Sequence, residues 1–207
     1  DIDGDGWQDV LTISSTDNTV YWIKNLGGGN FDLPIVISDS VDNVQSVFSV
    51  DIDGDNDMDV LAVDRGYSWD PSNNRVHIYV NDGSGAFSLG TTLASPFPGG
   101  NPNYSFVTAA DLTGNTYPDV VVTAYTTGSA YVFKNLGGLS FSGLTAYSSN
   151  VNTQTVNLAD IDGDTDLDLI YLSEISAEIF WRENDGDGNF SERVEIDFPA
   201  GLPNFSV

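Results

Sequence analysis

Four short acidic segments hold most of the chemistry available to this chain. They read Asp1-Ile-Asp-Gly-Asp-Gly-Trp-Gln-Asp9, Asp51-Ile-Asp-Gly-Asp-Asn-Asp-Met-Asp59, Asp111-Leu-Thr-Gly-Asn-Thr-Tyr-Pro-Asp119 and Asp160-Ile-Asp-Gly-Asp-Thr-Asp-Leu-Asp168. Carboxylates at positions 1, 3, 5 and 9 of such a segment, with glycine at 4, crowd negative charges that repel one another unless a cation sits among them. Hard oxygen donors on a short flexible loop suit Ca²⁺, which takes six to eight of them at about 2.3–2.6 Å, better than Mg²⁺, which keeps more water.

The expected ligands follow from these offsets. The first loop offers Asp1, Asp3, Asp5 and Asp9, with the Trp7 carbonyl as a main-chain ligand at position 7. The second offers Asp51, Asp53, Asp55 and Asp59, with Asp57 at position 7, and the fourth Asp160, Asp162, Asp164 and Asp168, with Asp166 at position 7. The third keeps Asp111 and Asp119 but carries Thr113, Asn115 and Tyr117 in between, so a weaker site is expected there. A helix-flanked EF-hand loop is excluded, because it needs glycine at position 6 and glutamate at 12, where this chain has Thr12.

The elements that hold these loops recur with them. Each loop runs into an apolar, β-branched stretch, Val10–Ile13, Val60–Val63, Val120–Thr123 or Leu169–Leu172, which reads as a strand covered on both faces. A second stretch ends at Asn25, Asn81, Asn135 or Asn184, and a glycine-rich turn then leads to Phe31, Phe87, Phe141 or Phe190, always six residues after the asparagine. That constancy reads as a hairpin. A further strand precedes each new loop, at 45–50, 105–110 and 155–159. The unit is therefore about four strands in roughly 50 residues, the size of a propeller blade.

The Asp-x-Asp-Gly-Asp-x-x-x-Asp loop followed by an apolar strand resembles the FG-GAP/VCBS repeats of integrin α-subunit propellers and of many secreted bacterial proteins. The resemblance covers essentially the whole chain. It implies an all-β propeller of four-stranded antiparallel blades, with calcium in the hairpin between the first and second strands of each. Propellers of this family usually close with seven blades, whereas this chain holds four repeats, 1–50, 51–110, 111–159 and 160–207.

Composition agrees with this reading and removes others. The 207 residues include 31 acids against 6 Lys+Arg, a formal net charge of −25, and aspartate far outnumbers glutamate, which places the charge in loops rather than helices. A surface this acidic is repelled by phosphate backbones and anionic bilayers, so nucleic-acid binding is not expected, and no apolar run is long enough for membrane insertion. With 40% hydrophobic residues the chain can bury a core, and without cysteine it has neither disulfides nor thiol chemistry. Catalysis is not expected, because the His, Cys and Lys of nucleophile–base pairs are nearly absent.

Other features have ordinary readings. His77 occupies the strand position of Tyr21, Tyr131 and Phe180 and is expected to pack. Trp22 and Trp181 share an equivalent strand position and read as core, whereas Tyr67 and Trp69, in the longest insertion, are the surface candidates for a glycan or cell-surface protein. Asn184–Asn189 reads as a plain hairpin rather than a further metal loop, and the sequons at Asn103, Asn189 and Asn204 are no more numerous than chance gives.

The ends complement each other. Ser206-Val207 placed before Asp1 reproduces Ser49-Val50-Asp51, so 201–207 reads as the strand completing the blade that begins at residue 1. Closure within one molecule is favoured over head-to-tail donation into a filament or continuation in a longer array. The resulting expectation is an extracellular, calcium-stabilised structural or adhesive module, with a glycan- or protein-recognition module, or the non-catalytic propeller domain of a secreted polysaccharide-active enzyme, as the alternatives.

Overall fold

The computed structural model describes residues 1–65, 74–94, 103–148, 153–173 and 179–196. The Tyr67/Trp69 insertion, Asn204 and the expected strand at 201–207 lie outside them. Every regular element among the described residues is a β-strand, every pairing is antiparallel, and no helix is long and apolar enough to cross a membrane.

Among the described residues five small sheets result, and they do not close into a barrel. The first joins β1 (Val10–Ser14), β2 (Thr19–Ile23) and β5 (Ile35–Ser38), while β3 (Asn25–Gly27) and β4 (Asn30–Phe31) form a separate hairpin. The second runs β6 (Val44–Val50), β7 (Asp59–Asp64), β8 (Arg75–Asn81) and β9 (Phe87–Ala94) in chain order. The third repeats this with β10 (Tyr104–Ala110), β11 (Asp119–Ala124), β12 (Ser129–Phe133) and β13 (Thr145–Ser148). The fourth does so with β14 (Thr153–Ala159), β15 (Asp168–Ser173), β16 (Ile179–Arg182) and β17 (Val194–Ile196). Loops 51–59, 111–119 and 160–168 connect the first and second strands of these three sheets.

The constant asparagine-to-phenylalanine spacing is a pairing. Asn25 faces Phe31, Asn81 faces Phe87, Asn135 faces Phe141 and Asn184 faces Phe190, each antiparallel. The last of these confirms 184–190 as a hairpin of the common type.

The sheets stack face to face in sequence order, which explains the continuous apolar runs. Side chains alternate along a strand, so Val60 and Ala62 of β7 pack toward the first sheet with Ile2, Val20 and Trp22, while Leu61 and Val63 pack toward the third with Val107, Val120 and Val122. In β11, Val120 and Val122 face the second sheet, and Val121 faces the fourth with Val156, Leu169 and Tyr171. Complete burial of one such Val or Leu contributes about 1.5–3 kcal/mol, and the three cores hold these sheets together.

Coverage of both faces fails in the first copy. Val10 is 40% exposed, whereas Val60, Val120 and Leu169 are fully buried. Each of those three lies beside a preceding strand, β6, β10 or β14, at the edge of its sheet, and no described strand takes that place beside β1. Among the described residues, the apolar cores join successive sheets and none joins the fourth to the first. Trp22 is buried as expected, Trp181 is half-buried, and His77 is buried, with its Nε2 3.5 Å from Asp64 and its ring stacked on Tyr79.

Candidate metal loops

Two side chains wind each acidic loop. The carboxylate at position 1 accepts main-chain N–H bonds from across the turn: Asp51 from Gly54, Asp55 and Asn56, and Asp160 from Gly163 and Thr165. Asp1 does the same with Asp5 and Gly6, and Asp111 with Thr113, Asn115 and Thr116. The position 5 side chain accepts from the position 7 N–H in all four, at 3.0 Å in Asp5, 2.9 Å in Asp55, 2.9 Å in Asn115 and 2.9 Å in Asp164. Asn115 can do this as well as aspartate, because the bond needs only an acceptor oxygen. The third loop therefore keeps its shape with less charge.

That path requires left-handed backbone at two positions. Position 4 is glycine throughout, but position 6 also has positive φ, in Gly6, Asn56, Thr116 and Thr165. Threonine takes this conformation at a cost of about 1–2 kcal/mol.

In three loops the acids converge. Oxygens of Asp1, Asp3 and Asp5, of Asp51, Asp53 and Asp59, and of Asp160, Asp162 and Asp168 lie within 4.8 Å of one another. Asp9, Asp55 and Asp164 stand outside these groups. The third loop forms no such cluster, as its Thr113 and Asn115 require.

The crowding shows in the acidities. Burial, with the neighbouring Asp55 and Asp51 charges, raises the Asp53 pKa, and burial together with Asp164, Asp168 and Asp160 raises that of Asp162. Asp59 is pushed up to about 6, by burial first, against the bonds it accepts, with Asp53 and Asp55 adding to the rise. Burial also raises Asp119. In the first loop a lysine answers part of the charge. The Lys24 ammonium pairs with Asp3 and sits 3.0 Å from Asp5, which lowers the Asp5 pKa and holds Lys24 protonated well above its ordinary range. The second Asp3 oxygen, Oδ1, is buried with no hydrogen-bond partner.

These donor sets fit a divalent cation. They are all oxygen and short of positive charge, and in the first loop, beside Lys24, the buried Asp3 Oδ1 is left without a hydrogen-bond partner, a need that a hard ion such as Ca²⁺ would satisfy.

Position 7 side chains reach the glycine-rich hairpins. A Cβ built on Gly27, Gly83, Gly137 or Gly186 would collide with Trp7, Asp57, Tyr117 or Asp166 respectively, so each of these side chains lies against the hairpin glycine of its own repeat. The Asp57 and Asp166 carboxylates thus contact the hairpins, and burial, with the neighbouring Asp164, Asp160, Asp162 and Asp168 charges, raises the Asp166 pKa.

Position 9 fastens the loop to that hairpin. Asp59 is fully buried and accepts the Ile52 N–H at 3.0 Å and the Asn81 N–H at 2.9 Å. Asp119 does this with Leu112 and Asn135, Asp168 with Ile161 and Asn184, and Asp9 with Ile2 and Asn25.

The asparagines complete a device that sequence reasoning missed, having treated them only as turn residues. The Asn81 amide donates to the Ile2 carbonyl of the preceding loop at 2.6 Å, Asn135 to Ile52 at 2.8 Å and Asn184 to Leu112 at 3.0 Å. Their own loops supply a second acceptor, Met58, Pro118 or Leu167. A hydrogen-bonded relay thus runs from loop to loop through position 2, position 9 and asparagine. The only signal in the sequence was that asparagine recurs at this one place in all four copies.

The repeat has known relatives. The FG-GAP-like repeat profile matches residues 1–62, 67–122 and 111–171. Over 94% of its length the chain superposes on half (50%) of a lectin from Agrocybe aegerita that recognises non-reducing terminal N-acetylglucosamine, with TM-score 0.64 and 23% identity. It also superposes, over 97% of its length, on 58% of a catalytically inactive H270A virginiamycin B lyase from Staphylococcus aureus solved with quinupristin, with TM-score 0.50 and 16% identity. The chain spans about half the length of these two structures. No curated protein is a significant match.

Proposed function

We propose a function for a chain that belongs to the FG-GAP-like repeat family: a calcium-stabilised recognition module, built as blades of a β-propeller, that binds glycans outside the cell. The observation that carries this reading is the fourfold loop-and-hairpin unit on a fold shared with a glycan-recognising lectin. In this role the ion is structural. It neutralises the crowded acids of a loop and so steadies the position 2 carbonyl to which the next sheet is bonded.

Proposing an extracellular location follows from the ion, since sites of this openness need the high calcium level found outside cells. Binding rather than catalysis is proposed because the acids that dominate the chain are engaged in loop and hairpin bonds.

The test is a glycan array probed with the chain in calcium and again in chelator. Calcium-dependent binding to a defined set of glycans supports the reading, and the absence of any glycan ligand in calcium contradicts it.

A second reading, self-association, rests on one observation. Ile161 is 44% exposed where its counterparts Ile2, Ile52 and Leu112 are buried, and its carbonyl accepts no asparagine among the described residues. Light scattering in calcium that shows only monomer at high concentration removes this reading.

A further inference from the structure

Deepening the recognition reading and resting on it, we propose that a cleft at the end of the sheets opposite the acidic loops binds a saccharide carrying a carboxylate. The cleft has a volume of about 290 Å³ and is lined by Gln45, Arg65, Ser105, Phe106, Tyr125 and Thr155. That volume is at the lower end of small-ligand sites and has room for a single sugar ring.

A repeated irregularity builds this cleft. The strands β6, β10 and β14 each carry a register shift at their first residues, between Val44 and Ser46, Tyr104 and Phe106, and Thr153 and Thr155. A bulge re-aims the side chains around it and ends the regular ladder, and three at one level bring Gln45, Ser105, Phe106 and Thr155 to a common wall. Arg65 and Tyr125 follow the neighbouring strands at equivalent places. The Arg65 N–H bonds to the Asn43 carbonyl at 3.4 Å and the Tyr125 N–H to the Asn103 carbonyl at 3.0 Å. Asn43 and Asn103 both hold left-handed backbone, with φ of 54° and 52°.

The chemistry of the lining selects the ligand. Arg65 is positioned by its Nε, which donates to Asn103 Oδ1 at 3.3 Å, and its guanidinium pairs with no carboxylate among the described residues. The two terminal nitrogens of such a guanidinium match a carboxylate in bidentate fashion. Gln45 uses its amide nitrogen on Asn43 and Val44, which leaves its oxygen to accept from sugar hydroxyls. Tyr125 supplies an aromatic face of the kind on which sugar rings rest, and Phe106, partly buried against the core between the third and fourth sheets, forms an apolar part of the wall.

The charge of the acidic loops does not forbid an anion here. Gln45 and Asp51 are six steps apart along β6 and its end, about 20 Å at roughly 3.3 Å per residue. That is more than twice the ~8 Å Debye length at physiological ionic strength, so the loop charges are screened at the cleft.

The experiment is a titration by nuclear magnetic resonance, in calcium, of methyl glucuronide and methyl glucoside against the wild-type chain and the Arg65→Gln variant. The expected result is saturable binding of the uronide, with shifts at Gln45, Arg65 and Tyr125, weakened at least tenfold by Arg65→Gln and at least tenfold weaker for the glucoside. Equal affinity for the two sugars, shifts confined to other residues, no uronide binding, or an unaffected Arg65→Gln variant overturns the proposal. The wild-type shift map decides the matter even if the variant fails to fold. A chain that binds other glycans on the array but leaves this cleft unshifted retains its recognition function and loses this site; a chain that binds no glycan loses both.

Discussion

The side-chain amide of Asn135 donates to the main-chain carbonyl of Ile52, 83 positions earlier in the chain, at 2.8 Å and out of reach of water. The same amide bonds Pro118 in its own loop, and its oxygen accepts the Gly137 N–H. One buried side chain therefore joins two acidic loops and a hairpin. Replacing Asn135 with alanine strands several buried polar groups, each worth about 1–3 kcal/mol. The expected outcome is a loss of about 3 kcal/mol in urea denaturation. Asn25→Ala should cost clearly less, because among the described residues its amide nitrogen donates only to Gln8. Equal losses for the two would mean that the bond between sheets contributes little.

Position 6 of the fourth loop offers a gain. Thr165 sits at φ 86°, a conformation that glycine adopts without penalty and a β-branched residue does not. Its N–H bond to Asp160 is independent of the side chain. Thr165→Gly should therefore raise stability by about 1 kcal/mol, read as a higher melting midpoint. A lower midpoint would show that the threonine side chain makes a compensating contact.

The raised carboxylates fix the sign of a pH effect. With its folded pKa at about 6 against an ordinary 3.8, Asp59 binds more protons folded than unfolded between these values. Its cost to the ion-free fold is full above pH 6 and is relieved as the pH falls toward 3.8, by on the order of 3 kcal/mol at most. Asp53, Asp119 and Asp162 shift the same way. Exposed groups with lowered pKa, such as Asp82 and Asp185, oppose this more weakly. In chelator the melting midpoint should rise from pH 7 to pH 5, and in saturating calcium it should fall, because protons then compete with the ion. A midpoint that falls in both conditions contradicts the assignment.

Lys24 should set the first loop apart from the second and fourth. Its ammonium occupies the carboxylates of Asp3 and Asp5, which an arriving cation must displace. Lys24→Met should tighten ion binding in loop 1–9, seen by calorimetry as one site of raised affinity. An unchanged isotherm would mean that the lysine moves aside freely.

Much of this was legible from residue types and spacing. The acidic loops, the strands after them and the Asn-to-Phe hairpins depend on local pattern, and local pattern repeated four times is hard to misread. Three acids converge in each of loops 1–9, 51–59 and 160–168, with Asp9, Asp55 and Asp164 outside the groups, and the substituted loop 111–119 forms no cluster. What escaped depends on how one sheet sits against the next. The reach of Asn81 to Ile2 spans 79 positions and is decided by packing between sheets. The exposure of Val10 escaped for a related reason, since its apolar character is the same as that of Val60 and the difference is that no described strand lies beside it. The left-handed Thr116 and Thr165 were hidden because propensity argues against threonine there, and the loop's bonds override it.

The central claim, that the acidic loops hold calcium and thereby secure the stack of sheets, is tested most directly by calorimetric titration of the chelator-stripped chain with calcium, followed by melting of the same samples. The account predicts saturable binding in loops 51–59 and 160–168, lost there by Asp51→Asn and Asp160→Asn, with a melting midpoint that rises with calcium as ligand linkage requires. No binding at millimolar calcium, together with one melting midpoint in calcium and in chelator, would contradict it.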